Sequence, residues 1–305
     1  MIVEETGLLK SFSRYLKLEK GLSGNTLDAY LNDVRKLFQY LSPEADPTVD
    51  QLVAADITNF VCQLQDIGIQ ARSQARILSG LRAFYAFLRI EGYSTTDPME
   101  LIESPKLGRK LPEILTVEEI DNIQNSFDLS EPESRRNKAI IETMYSCGLR
   151  VSELVGLRIS QLYPDEEYIV VEGKGGKQRL VPISSRALHE IALYMQDRRR
   201  LTPKKGDEDI LFLNRRGRHL SRVMIFYIIK ERCEVCGIRK NISPHTLRHS
   251  FATHLLEGGA NLRAIQQMLG HESITTTEIY VHLDNEYLRS EILLHHPRNN
   301  RSKSM

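Results

Sequence analysis

Apolar residues in the first hundred positions recur at three- and four-residue steps. Leu27, Tyr30, Leu31, Val34, Leu37, Phe38 and Leu41 fall on one helix face. Asn25 or Ser23 supplies the N-cap, and Pro43 helps end the helix. The same spacing predicts helices over residues 56–67 and 73–90. The second of these patterns carries Arg72, Arg76, Arg82 and Arg89 beside Leu78, Leu81, Phe84, Tyr85 and Leu88. An apolar stripe flanked by arginines is either a solvated basic face or a helix that lies along a phosphate backbone.

Asp97-Pro98 ends this helical region, and residues 104–112, Ser-Pro-Lys-Leu-Gly-Arg-Lys-Leu-Pro, have linker composition. The pattern therefore predicts a helical domain over 1–103, a linker over 104–112 and a mixed domain over 113–305. Lys106, Arg109 and Lys110 make this linker basic, a charge that suits contact with a phosphate backbone. Beyond the linker, Thr116-Val117-Glu118-Glu119 has the form of a capping box. A helix over 135–145 should end near Gly148. Two β-rich runs, 168–172 and 178–183, flank the turn Gly173-Lys174-Gly175-Gly176-Lys177, which predicts a hairpin. Helices near 185–200 and 221–236 follow, with a short strand at 210–213 between them. The fold class is α+β, mainly helical with a small sheet.

Composition changes little in this picture. The chain has 305 residues, enough for two cores, and its 41 Lys and Arg against 40 Asp and Glu leave a net charge of +1. Dividing the chain is more informative. Residues 1–103 carry 10 basic and 14 acidic residues, and the remainder carries 31 and 26. The second part is thus mildly basic, which suits a polyanion. No apolar run approaches the roughly 18 residues that a spanning helix needs, and the first residues lack a signal-peptide pattern. Four cysteines make no disulfide framework, which fits a cytoplasmic protein. Cys233 and Cys236 lack the second ligand pair of a zinc site and read as two thiols one turn apart.

The candidate chemistry lies in the second domain. Ser243-Pro244 opens a helix that carries His245 and Arg248 on one face and stops at Gly258-Gly259. Asn261 caps the next helix, which ends at Gly270 and leaves His271 just beyond. Ser273 can cap a short helix bearing Tyr280. A phosphodiester repels nucleophiles, so its attack needs positive charge where negative charge accumulates. Arginine answers this with a planar fork that stays ionised, and Arg150 and Arg248 are the candidates. A tyrosine phenol needs a proton acceptor to attack at neutral pH, for which His245 is placed. Lys174 on the hairpin turn is the candidate acid for the leaving oxygen, and His271 braces the phosphate or the tyrosine. No metal or nucleotide cofactor is required. The glycine turn is not a P-loop, because Gln178 and a strand follow where Ser or Thr and a helix are needed.

The ordered set Arg150, Lys174, His245, Arg248, His271 and Tyr280 resembles the catalytic pattern of the tyrosine recombinases, within them the XerC/XerD group of chromosome-dimer recombinases. Residues 25–30 and 75–79 resemble that family's core-binding domain, 104–107 its linker, and 148–156, 173–175 and 251–256 its catalytic domain. Val281 departs from the Thr usual after the tyrosine, outside the catalytic set. The resemblance implies a SAM-like N-terminal domain and a catalytic domain that clamp DNA. It implies cleavage by Tyr280 through a 3′-phosphotyrosyl link without metal or ATP. Its partners would be a duplex recombination site, a paralogous XerC-like recombinase in a heterotetramer, and an FtsK-like translocase. A mobile-element or phage integrase would share the chemistry, while an architectural DNA-binding protein would not need the full set. Past Tyr280, Asp284 is expected to cap a helix with Tyr287, Leu288, Ile292 and Leu293 in one stripe. In the resembled family this tail docks on a neighbouring protomer. Residues 284–298 would then bind in trans in a tetramer and fold back in cis in the lone chain, or simply complete the protomer's own core.

Overall fold

The computed structural model describes residues 5–41, 52–105, 113–173, 176–270 and 281–300. They belong to two compact units, Met1–Lys110 and Leu111–Met305, each with its own core.

The first unit holds four helices: α1 Glu5–Leu18, α2 Gly24–Leu41, α3 Ala54–Asp66 and α4 Ala71–Ile90. Ser23 caps α2 by accepting from the Thr26 amide, which resolves the choice between Ser23 and Asn25. Ile77, Leu81, Phe84 and Leu88 form the buried stripe of α4. Phe84 packs edge-on against Phe12 of α1 and Phe38 of α2, with centroids 5.1 and 5.8 Å apart. A charge sits inside this unit. Asp33 of α2 is fully buried and pairs with Arg76 of α4. Burial raises its pKa, opposed by Arg76.

The second unit begins with α5, Val117–Asn125, whose Thr116–Glu119 capping box forms as expected. Helix α6, Ser134–Cys147, is buried along most of its length and forms the centre of this unit. Short α7, Val151–Val155, leads through a 3₁₀ turn into a three-stranded antiparallel sheet. Its strands are β1 Leu162–Tyr163, β2 Tyr168–Glu172 and β3 Gln178–Pro182, with Val170 opposite Leu180. The hairpin is as expected, and β1 is an addition to it.

Then come α8 Ser185–Arg198, α9 Arg222–Val235, α10 Pro244–Glu257, α11 Leu262–Leu269, α12 Val281–His295 and α13 Pro297–Asn300. The strand expected at 210–213 is absent, replaced by two isolated bridges, Arg158 to Ile210 and Leu213 to His219. Leu211, Phe212 and Leu213 are all buried, so the run lacks the alternation of a half-exposed strand. Side chains take several of its backbone groups. Arg198 donates to the Ile210 and Leu211 carbonyls, and the Leu213 amide donates to the Tyr194 hydroxyl. Among the described residues no helix is long and apolar enough to cross a membrane.

The tail also corrects the sequence reading. Helix α12 starts at Val281, so Asp284 lies inside it rather than capping it. Only Leu288 and Ile292 of the expected stripe are buried, while Tyr287 and Leu293 stay largely exposed. The tail packs on its own unit. His296 is buried against the rings of Tyr145 and Phe251. Arg298 pairs with Asp121 and with the buried carboxylate of Glu142.

Candidate active site

The second unit brings three arginines to one helix end. Its construction starts at Gly148, which ends α6 with φ of 58°. A Cβ there would lie 2.7 Å from Phe251 Cε1, so the turn requires glycine for both conformation and space. The chain then extends through Arg150, the N-cap residue of α7. Arg150 donates its backbone N–H to Glu153 Oε2 and its Nη1 to Glu153 Oε1, both at 2.8 Å. Its Nη2 donates to the Gly270 carbonyl at 3.1 Å.

Arg248 comes from α10, where Ser243 is the N-cap and Pro244 fills the first turn. It donates Nη1 to the Gly148 carbonyl at 2.8 Å and Nη2 to the Leu269 carbonyl at 2.6 Å. Burial, then the neighbouring Arg150, push its pKa down to about 10, which leaves it charged at neutral pH. His245 stands three residues earlier on the same helix, exposed to solvent.

Two residues without a role in the sequence reading complete the cluster. Arg179 of β3 forks the Glu153 carboxylate with Nη1 and Nη2 at 2.9 and 3.0 Å, and its Nε donates to the Met268 carbonyl at 2.8 Å. Glu153 is nearly inaccessible, its side chain only 3% exposed. Burial alone would raise its pKa, but the Arg179 fork and the Arg150 N–H groups outweigh burial and hold it below the usual carboxylate range. Signals for both were present in the sequence. Glu153 follows Arg150 at the three-residue spacing of a capping box, and Arg179 shares a strand face with buried Val181.

Met268, Leu269 and Gly270 are successive residues at the end of α11, and each of their carbonyls is taken by a different arginine. Helix termini leave such carbonyls unsatisfied and carry partial negative charge, so cations are favoured there. Three guanidinium groups against one carboxylate leave the cluster with a net charge of +2. Arg150 and Arg248 each use two nitrogens on protein partners and keep further N–H donors for an anion.

Lys174, His271 and Tyr280 lie outside the described residues, as do Lys106, Arg109 and Lys110. In the first unit, Arg72 is exposed, and Arg76 is exposed but anchored by buried Asp33. Arg82 instead donates to the Ile102 carbonyl and to Ser104 Oγ, tying down the end of that unit. Cys233 is buried with its thiol pushed up to about 12, and Cys236 lies just past the end of α9. Among the described residues no group of three His, Cys, Asp or Glu is placed to hold a metal ion.

A model of the phage integrase family matches residues 113–286, and one of that family's N-terminal SAM-like domain matches residues 9–92. The chain belongs to the phage integrase family. As a tyrosine recombinase it is a site-specific enzyme that cuts and rejoins DNA. A tyrosine recombinase XerD from Chlorobaculum tepidum is 42% identical over 95% of this chain and 96% of its own length. Another of that name, from Oceanobacillus iheyensis, is 41% identical over 95% of this chain and 98% of its own. Among solved structures, XerH recombinase bound to palindromic difH shares the fold at a TM-score of 0.71 and 21% identity, covering 95% of this chain and 96% of that one. A lambda integrase dimer on a COC′ core site does so at 0.68 and 21%, covering 90% and 98%.

Proposed function

We propose that this recombinase resolves chromosome dimers, with Tyr280 as nucleophile and Arg150 and Arg248 as the clamp on the scissile phosphate. The observation that carries the reading is the convergence of both arginines on adjacent carbonyls at the end of α11. Their remaining donors neutralise the charge that builds on the phosphate during attack. His245, one turn before Arg248, takes the phenolic proton. Lys174, on the turn between β2 and β3, protonates the leaving 5′-oxygen, and His271 supports the phosphate. The covalent 3′-phosphotyrosyl link keeps the bond energy for religation.

The substrate is a duplex recombination site in the cytoplasm, bound also through Arg72 and Arg76 of the first unit and Lys106, Arg109 and Lys110 before the second. The partners are a XerC-like paralogue and an FtsK-like translocase. In that assembly residues 284–298 exchange onto a neighbour. Relatives at 38–42% identity carry the XerD name, which favours the chromosomal role over a mobile-element one.

A cognate site nicked beside the scissile phosphate tests the chemistry. Wild-type protein should form a detergent-resistant adduct with it, and Tyr280→Phe should bind the site without forming one. An adduct with Tyr280→Phe would remove Tyr280 from the nucleophile's role.

A further inference from the structure

We infer that Arg179 is a positioning residue for strand cleavage, acting through Glu153 on Arg150 and through Met268 on the end of α11. The inference rests on the proposed roles of Arg150 and Arg248. Arg179 differs from these two in what it does with its nitrogens. All three are engaged within the protein, two on Glu153 and one on the Met268 carbonyl, and its side chain is only 15% exposed. That arrangement serves alignment rather than phosphate contact.

Alignment matters here because Glu153 receives two guanidinium groups at once. Its Oε1 accepts from both Arg150 Nη1 and Arg179 Nη1, at 2.8 and 2.9 Å. Arg150 holds both Glu153 oxygens by itself, one from its backbone N–H and one from Nη1, but both donors belong to the residue that has to be aligned. The two parallel bonds from Arg179 fix the carboxylate plane, and Arg150 then meets an acceptor of set orientation. Lysine offers a point charge and cannot supply two coplanar bonds.

Arg179 also joins the segments that carry the proposed machinery. It lies two residues past the turn that holds Lys174. It reaches the first turn of α7 after Arg150, and the last turn of α11 before His271. Gly270 fits this contact. A Cβ there would lie 3.1 Å from Arg179 Nε and 3.2 Å from its Cζ, and the residue has φ of 65°. The chain leaves α11 directly against the Arg179 guanidinium, so a shift of that group moves Gly270, the residue before His271 in the sequence.

The test is single-turnover cleavage of a nicked site by Arg179→Lys, with half-site binding and melting temperature measured in parallel. At saturating DNA the rate should fall roughly 100-fold, the scale of a misplaced catalytic group, while the half-site Kd changes less than about threefold. In a Glu153→Gln background, adding Arg179→Lys should slow cleavage by less than a further factor of about three, because the route to Arg150 is already broken and lysine keeps a donor for the Met268 carbonyl. A wild-type rate for Arg179→Lys at saturation would overturn the inference. So would a loss confined to DNA affinity, or one that persists in full beside Glu153→Gln. If Arg179→Lys melts below the assay temperature, Arg179→Gln, which keeps a donor for the Met268 carbonyl, carries the same comparison. Arg150→Ala separates the two proposals. Wild-type cleavage by Arg150→Ala would sink the site itself, whereas an inactive Arg150→Ala beside a fully active Arg179→Lys would sink only the positioning role.

Discussion

Arg150 and Arg248 hold protein carbonyls with part of each guanidinium and offer the rest to a ligand. Replacing either by Ala should lower cleavage by at least about 100-fold, as when one transition-state donor is lost. Half-site binding should fall much less, because many other phosphate contacts remain. A filter-binding assay beside the cleavage assay reads both. With arginines supplying the charge, as proposed, cleavage should proceed unchanged in EDTA, and a strict need for Mg²⁺ in the chemical step would contradict the proposal.

Glu153 carries a prediction about pH. Its folded pKa lies below the ordinary value of 4.5, so the stability it contributes is fully present above that value and is lost as pH falls through the lower folded one. Urea melts of wild-type protein and Glu153→Gln should therefore differ at pH 7, and the difference should shrink as pH is lowered below 4.5. At pH 7 the substitution strips Arg150 and Arg179 of their shared carboxylate and should cost roughly 3 kcal/mol.

At the scale of elements, the site depends on where helices stop. Gly148 ends α6, Arg150 starts α7 two residues later, and Gly270 ends α11. Gly148→Ala should destabilise the second unit by roughly 3 kcal/mol, through a left-handed backbone and a clash with Phe251. Cleavage should also drop, because the Gly148 carbonyl that receives Arg248 would shift. Chemical denaturation and the adduct assay check the two effects. These helix ends were readable in the sequence, since caps and glycines act locally. The capping box at Thr116, the starts of α10 and α11 and the β2–β3 hairpin all appear as expected. What escaped was long-range. Arg179 meets Glu153 across 26 positions and Met268 across 89, and no local pattern encodes such a meeting. The run 210–213 escaped for a related reason, because side chains of α8 satisfy its backbone in place of a strand partner.

At the scale of the whole molecule, the two units have separate cores, so residues 111–305 should unfold cooperatively on their own. That fragment should bind the recombination site at least about tenfold more weakly, having lost the phosphate contacts of the first unit. Calorimetry and a gel-shift titration measure the two. Within the second unit, Arg298 of the tail is almost wholly buried against Glu142. Arg298→Ala should destabilise this unit by roughly 3 kcal/mol, read by denaturant melts, because it removes the nearer of the two arginines paired with the buried Glu142 carboxylate.

The docked tail also governs reach. Helix α12 begins at Val281, the residue after Tyr280 in the sequence. Its buried Leu288 and Ile292 tie that start to the unit that holds Arg150, Arg179 and Arg248. Under the proposed mechanism, a tail seated on a neighbour would carry this attachment to the neighbour's unit. The seat of α12 would then decide which subunit's arginines the nucleophile serves.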